Sequence, residues 1–168
     1  MANNKINKNT IPEDFTLSLV LVDALPVIFF GASAVVISLL FQSSLFLFGA
    51  LLCLIGGAGK VLWKLIVVLK KKNVWPLFIQ MRILMPLGFL LMIFSLIANR
   101  SRVHLSAIAA GFCSFPSILF FLTGICGMGL MIVFSLKLDS SDLKSNWIEQ
   151  LTNGIAQAAI FIGLVLLL

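Results

Sequence analysis

Long apolar segments make up most of this chain, and they leave it few folding options. Five such segments occur, at about residues 15–41, 45–69, 74–98, 116–136 and 147–168. A helix needs about 20 consecutive apolar residues to cross the hydrocarbon core of a bilayer. Only 11% of the residues are charged, against about a quarter in soluble domains. The sequence therefore predicts an all-α fold, a polytopic transmembrane helix bundle that is one membrane domain over 1–168, with a polar N-terminal tail at 1–14.

The apolar stretch 103–138 is too long for one straight helix across a bilayer and too short for two. At about 1.5 Å of rise per residue it would extend on the order of 50 Å, against a hydrocarbon core of about 30 Å. We place a break at Ser114 to Pro116, because serine is suited to cap a helix and proline fits a first helical turn. The pattern predicts a short interfacial or re-entrant helix at 105–113 before the fourth span. A single long, kinked fourth span is the alternative.

Lysine and arginine residues are distributed unevenly between the two ends of the predicted bundle. With five spans, one side receives seven lysines: Lys5, Lys8, Lys70, Lys71, Lys72, Lys137 and Lys144. The other side receives only Arg100 and Arg102. Short loops rich in lysine and arginine stay in the cytoplasm. We therefore expect a multi-pass protein of the cell membrane, specifically a prokaryotic inner membrane, with its N-terminus in the cytoplasm and its C-terminus outside.

Ionisable and amide side chains interrupt four of the apolar segments. Such a charge costs at least a few kcal/mol at the bilayer centre, so it normally faces a partner, a cavity or a pathway. Glu149, Asn153 and Gln157 repeat every four residues and share one helix face, as do Lys60 and Lys64 on the second span. Under the predicted topology all these groups lie in the cytoplasmic half. The sequence predicts a cytoplasm-facing polar cavity with eight ligand-binding residues: Asp23, Lys60, Lys64, Gln80, Arg82, Glu149, Asn153 and Gln157.

Each of these residues also has a purely structural interpretation. The three cations can extend their charged ends to lipid headgroups, and Asp23 can pair with one of them to fix helix packing. Glu149 follows Asn146 at the spacing of a capping box, so it can simply cap the fifth helix. The two amides can hydrogen-bond between helices. The predicted charges sum to three cations and two anions, an excess that an anionic ligand would balance.

Metal, cofactor and phosphate-binding motifs are not recognisable in the sequence. Cys53, Cys113 and Cys126 have neither CxxC nor metal-ligand spacing, and His104 is the single histidine. The glycines of the segment 56–59 lie inside an apolar span with no preceding strand, so close helix packing is the better interpretation. We therefore expect no metal site and no cofactor.

Catalysis is the least supported class of function. An embedded hydrolase needs a nucleophile with its base, paired carboxylates or metal ligands within reach of one another. We expect transport or binding of a small polar or anionic solute, or of a lipid headgroup, with Lys60 and Arg82 holding the negative charge. The alternative is a non-catalytic membrane subunit or regulator whose intramembrane charges are assembly contacts. In both cases the expected partners are membrane lipids and further copies of this chain or another subunit, and not nucleic acid.

Overall fold

The structure, a computed structural model, describes residues 15–99, 110–138 and 142–167. These residues are 88% helical and contain no strand. They form five long helices: α1 Leu17–Phe41, α2 Ser44–Lys70, α3 Trp75–Ala98, α4 Ser117–Lys137 and α5 Leu143–Val165. Each helix is long and apolar enough to cross a membrane. The predicted all-α membrane bundle with five spans is confirmed.

Polar side chains cap the starts of the first two helices, and residues in the left-handed conformation end them. Thr16 accepts a hydrogen bond from the backbone N–H of Leu19 and so caps α1, and Ser43 caps α2 in the same way. Gln42 and Lys71 adopt the left-handed conformation, with φ of 46° and 49°, and end α1 and α2. This conformation terminates many helices because it turns the backbone out of the helical path. The connection between α1 and α2 is consequently as short as the sequence predicts.

Asp142, rather than Asn146, caps α5. Its carboxylate accepts hydrogen bonds from the backbone N–H and the hydroxyl of Ser145, each at 2.8 Å. These two bonds hold the pKa of the Asp142 carboxyl below its usual range. The helix therefore begins a full turn earlier than predicted, and Glu149 lies in its second turn. The interpretation of Glu149 as a helix cap is wrong, because a closer acid already caps the helix.

The break before α4 lies where the sequence places it, but Ser114 does not cap the helix. The hydroxyl of Ser114 donates to the carbonyl of Gly111 at 2.6 Å, and α4 begins after Pro116 without a side-chain cap. The N-cap prediction for Ser114 is wrong because α4 begins only at Ser117, which leaves Pro116 at the N-cap position. Residues 110–112 are helical and Cys113 lies in the turn that follows; residues 105–109 of the predicted short helix lie outside the described residues.

The five helices pack in the order α3, α2, α1, α5, α4, so that α3 and α4 stand at the two ends of the row. Between α2 and α3 the backbones approach closely at Gly49 and Gly88, where an added Cβ would meet the opposite carbonyl oxygen at 2.7 and 2.5 Å. The glycines at 56 and 59 also face α3, as predicted for a helix-packing stripe. Their lack of side chains lets α3 lie against α2.

Two apolar clusters close the two ends of the bundle. We call the end that carries Lys70, Lys71, Lys72, Lys137 and Lys144 the lysine end. Near it lies a buried cluster of Phe15, Leu19, Trp63, Val67 and Phe78. Towards the opposite end, α1, α4 and α5 meet through Val36, Phe121 and Leu164. The intramembrane charges lie between these two clusters.

Candidate functional site

Asp23 is held between two lysines in the interior of the bundle. The ammonium of Lys60 lies 3.2 Å from Oδ1 of Asp23, and that of Lys64 lies 3.1 Å from Oδ2. Asp23 and Lys64 are 3% and 2% exposed, whereas the side chain of Lys60 is 30% exposed. Each carboxylate oxygen thus faces a different cation. The prediction that these three charges lie together agrees with this geometry.

The packing of α1 against α2 brings these charges into contact. Lys60 and Lys64 are four residues apart, so both side chains leave the same face of α2. Gly57 lies on the neighbouring turn, where an added Cβ would approach Val27 of α1 to 3.0 Å. The helices run antiparallel here, because Val27 faces Gly57 while Asp23, one turn earlier on α1, faces the lysines one and two turns later on α2. The sequence shows the spacing on each helix but not this pairing.

Lys64 lies deep in the protein and is surrounded mainly by apolar side chains. Its ammonium lies 5.2 Å from the centroid of the Phe15 ring. The contact of Lys64 with Asp23 is an ion pair that lacks the directional geometry of a hydrogen bond. Removing one partner of such a buried pair leaves an uncompensated charge in a medium of low dielectric constant. Lys64 therefore depends on Asp23 for its counter-charge, and it does not extend to the lipid headgroups.

A cavity of about 230 Å³ opens beside the ion pair. Its polar wall consists of Asp23, Lys60, Asn153 and Gln157. The rest of its lining is apolar or sulfur-containing: Pro26, Val27, Phe30, Cys53, Gly57, Met81, Met85, Phe89, Met128 and Met131. All five helices contribute to this lining. The lining of the cavity thus combines charged side chains on one side, two amides and a flexible apolar surface. Many small-molecule sites have this composition.

Helix α5 presents its polar stripe to this cavity. Asn153 and Gln157 line it, and the amide nitrogen of Gln157 donates to the sulfur of Met128 at 3.5 Å. Glu149, one turn closer to the lysine end, is half-buried and interacts electrostatically with Lys60 and Lys64. The stripe predicted from the four-residue spacing therefore faces the interior along its length.

The two predicted residues on α3 occupy different surroundings. Gln80 packs its amide directly against Gly59 of α2. Arg82 is exposed, and its guanidinium lies 4.6 Å from the centroid of the Phe78 ring. Neither belongs to the lining of the cavity. The charged cluster therefore contains Asp23, Glu149 and two lysines, and the predicted excess of one positive charge, which depends on Arg82, does not apply to it.

The methionines of the cavity are not among the site residues predicted from the sequence. Four of the six in the chain line the cavity, two on α3 and two on α4. Met81 and Met85 are four residues apart, and Met128 and Met131 are three apart, so each pair shares a helix face. This spacing is visible in the sequence. It carries no signal for a cavity by itself, because the same spacing is common among ordinary packing residues.

Comparison of the chain with known protein families, characterised proteins and solved structures finds no match. Its function must therefore be argued from the site. In the part of the chain that the structure describes, no group of three His, Cys, Asp or Glu side chains is placed to hold a metal ion. Of the three cysteines, Cys53 is buried at the cavity, while Cys113 and Cys126 are exposed.

Proposed function

We propose that this protein binds a small anionic molecule in the intramembrane cavity and takes part in its transport. The observation that carries the proposal is the arrangement of Asp23 between two lysines, one buried and one at the cavity wall. Ionisable residues inside a membrane are costly and typically mark substrate pathways or binding sites. Lys60 is the cation available to a ligand, and Lys64 is the cation that stays with the protein.

The two lysines have different roles in this proposal because their side chains are buried to different extents. When an anion binds Lys60, Asp23 keeps its second ion pair with Lys64, so no carboxylate is left without a counter-charge. Lys60 can therefore exchange one anionic partner for another at little electrostatic cost. Lys64 cannot, because it is 2% exposed and reaches no cavity surface. This asymmetry supports an anion rather than a cation as the ligand.

The remaining lining fits the rest of a small organic molecule. Asn153 and Gln157 offer amide donors and acceptors that can fix the orientation of a polar group. The thioethers and aromatic rings offer an adaptable apolar surface, since methionine has a flexible and polarisable side chain. Glu149 lies beyond Asn153 and limits the positive potential at the site. We assign no catalytic role to these residues.

Binding of an anionic ligand in the cavity can be tested directly. Native mass spectrometry of the protein, released gently from the membranes of the expressing cell, should detect a small anionic adduct in a 1:1 ratio. Lys60→Gln should reduce this adduct at least ten-fold, because it removes the cation at the cavity wall. Lys72→Gln, in the exposed connection between α2 and α3, is the matched control and should leave it unchanged. An adduct that persists in Lys60→Gln would contradict the proposal.

We also propose that the lysine end faces the cytoplasm of a prokaryotic cell. The distribution of lysines supports this orientation. In a bacterial inner membrane, alkaline phosphatase fused after Val165 should be active, while the same enzyme fused after Lys72 should be inactive. Green fluorescent protein at these two positions should give the opposite pattern, since it fluoresces only inside. The reverse pattern at both positions would overturn the orientation.

A second candidate function is that of a non-catalytic subunit, and one surface favours it. A groove of about 510 Å³ runs between α4 and α5 on the outside of the bundle, with small or hydroxyl side chains such as Thr123, Gly127 and Ala156 in its lining. Small residues let a partner helix approach closely within a membrane. A chain that leaves the membrane without an adduct and with a second polypeptide would favour this function.

A further inference from the structure

The cavity has a methionine-lined side that faces the membrane interior. Helices α3 and α4 stand at the two ends of the helix row, yet both contribute to the same cavity. They are also the least buried of the five helices. We call the side of the cavity between Met81 and Met85 on α3 and Met128 and Met131 on α4 the methionine seam. It separates the cavity from the region that lipid acyl chains occupy.

Aromatic side chains lie in the two directions along the bundle axis. Towards the lysine end, Trp63 and Val67 of α2 and Phe15 and Leu19 of α1 are buried next to the ion pair. Towards the opposite end, the rings of Phe30 and Phe89 meet with 5.9 Å between their centroids. A solute that enters along the bundle axis must displace rigid aromatic side chains. A solute that enters through the seam displaces only thioethers, which are flexible and partly exposed.

The seam also has the chemistry of a hydrocarbon surface. The four methionines of the seam are uncharged, and each is partly exposed. A hydrated ion would lose its water here without compensation. An alkyl chain would exchange one apolar environment for another. The seam therefore selects for a molecule that is already dissolved in the bilayer.

We infer that the ligand is a lipid-soluble anion with a single alkyl chain, such as a long-chain carboxylate, which reaches the cavity sideways through the methionine seam. This inference rests on the proposed function, since it needs Lys60 as the partner of the anionic group. The head group contacts Lys60, and the chain lies along the methionines. The cavity volume corresponds to about eight water molecules, so the rest of the chain extends through the seam into the bilayer.

Photolabelling in phosphatidylcholine liposomes tests this route. The probes are two carboxylic acids that carry a diazirine, one with 12 carbons and soluble in lipid, the other with 4 carbons and soluble in water. We expect the long probe to label cavity residues of α3 and α4, as mapped by mass spectrometry. Excess dodecanoate should suppress the labelling at least ten-fold and dodecanol should not. The short probe should label these residues at least ten-fold less.

Three variants test the anion site and the methionine seam. Lys60→Gln should lower the labelling by the long probe at least ten-fold. Met131→Trp places a bulky ring in the seam and should lower it at least five-fold. Ile132→Trp is the matched control, because Ile132 is 66% exposed on the neighbouring position of α4, and it should label like the wild type.

The outcomes distinguish this inference from the proposed function. Equal labelling by both probes, with no effect of Met131→Trp, would show access from water and overturn the inference while the anion site stands. A native adduct that depends on Lys60 together with no labelling by the long probe would also overturn the inference alone. Labelling and a native adduct that are both unchanged in Lys60→Gln would overturn the proposed function as well.

Discussion

Asp23→Asn should destabilise this protein more than any other single change of charge. The substitution leaves the buried ammonium of Lys64 without its counter-charge and places it next to a second unpaired cation, Lys60. Breaking a buried ion pair by removing one partner costs about 3–5 kcal/mol. We expect a loss of this size in the free energy of unfolding, measured by titration with sodium dodecyl sulfate in mixed micelles. Much of the variant should fail to accumulate in the membrane.

Two further variants show whether the unpaired charge itself causes the loss of stability in Asp23→Asn. Arg82→Gln removes an exposed cation that lies over the Phe78 ring, and it should cost about 1 kcal/mol or less. Asp23→Leu combined with Lys60→Met and Lys64→Met should recover most of the stability, because an apolar cluster needs no compensation. If Asp23→Asn were as stable as Arg82→Gln, the ion pair would contribute nothing to the fold.

Gly88→Ala should disrupt the packing of α3 against α2. The new Cβ would lie 2.5 Å from the carbonyl oxygen of Gly49 and 2.6 Å from the sulfur of Cys53. Because the carbonyl belongs to the backbone, it cannot move aside without separating the helices. Overpacking of this kind costs about 1–3 kcal/mol, and occasionally more. We expect about 3 kcal/mol here, since the new Cβ would also lie 3.0 Å from the backbone nitrogen of Cys53.

Gly129→Ala provides the matched control for this prediction. Gly129 lies within α4, and apart from the neighbouring backbone of its own helix no atom of the described structure lies within 4 Å of the position its Cβ would take. The substitution should be neutral or stabilise the protein by up to about 1 kcal/mol, because alanine favours the helix over glycine. The two variants are compared by thermal unfolding in the same detergent. A midpoint for Gly88→Ala at or above that of Gly129→Ala would show that the close approach of α2 and α3 is not needed.

The predicted bundle agrees with the structure because its signal is local. Five apolar runs of membrane length specify five helices whatever they pack against, and the break at Ser114 to Pro116 is visible for the same reason. The errors are also local. Asp142 and Asn146 are both good cap residues one turn apart, and Ser114 lies three residues before the first residue of α4, so the sequence pattern alone does not decide which residue occupies the cap. This explains why the start of α5 was placed one turn too late.

The sequence by itself determined the five helices, the polar faces of α2 and α5, and the concentration of charges in one half of the bundle. Only the tertiary structure decided which charges meet. Asp23 and Lys64 pair because α1 packs against α2 at Gly57, whereas Arg82 stands apart because it leaves the exposed face of α3. The methionine-lined cavity arises only when α3 and α4 approach it from opposite ends of the row. Helical periodicity determines which residues share a helix face, and packing between segments that are distant in the sequence determines which residues that face contacts.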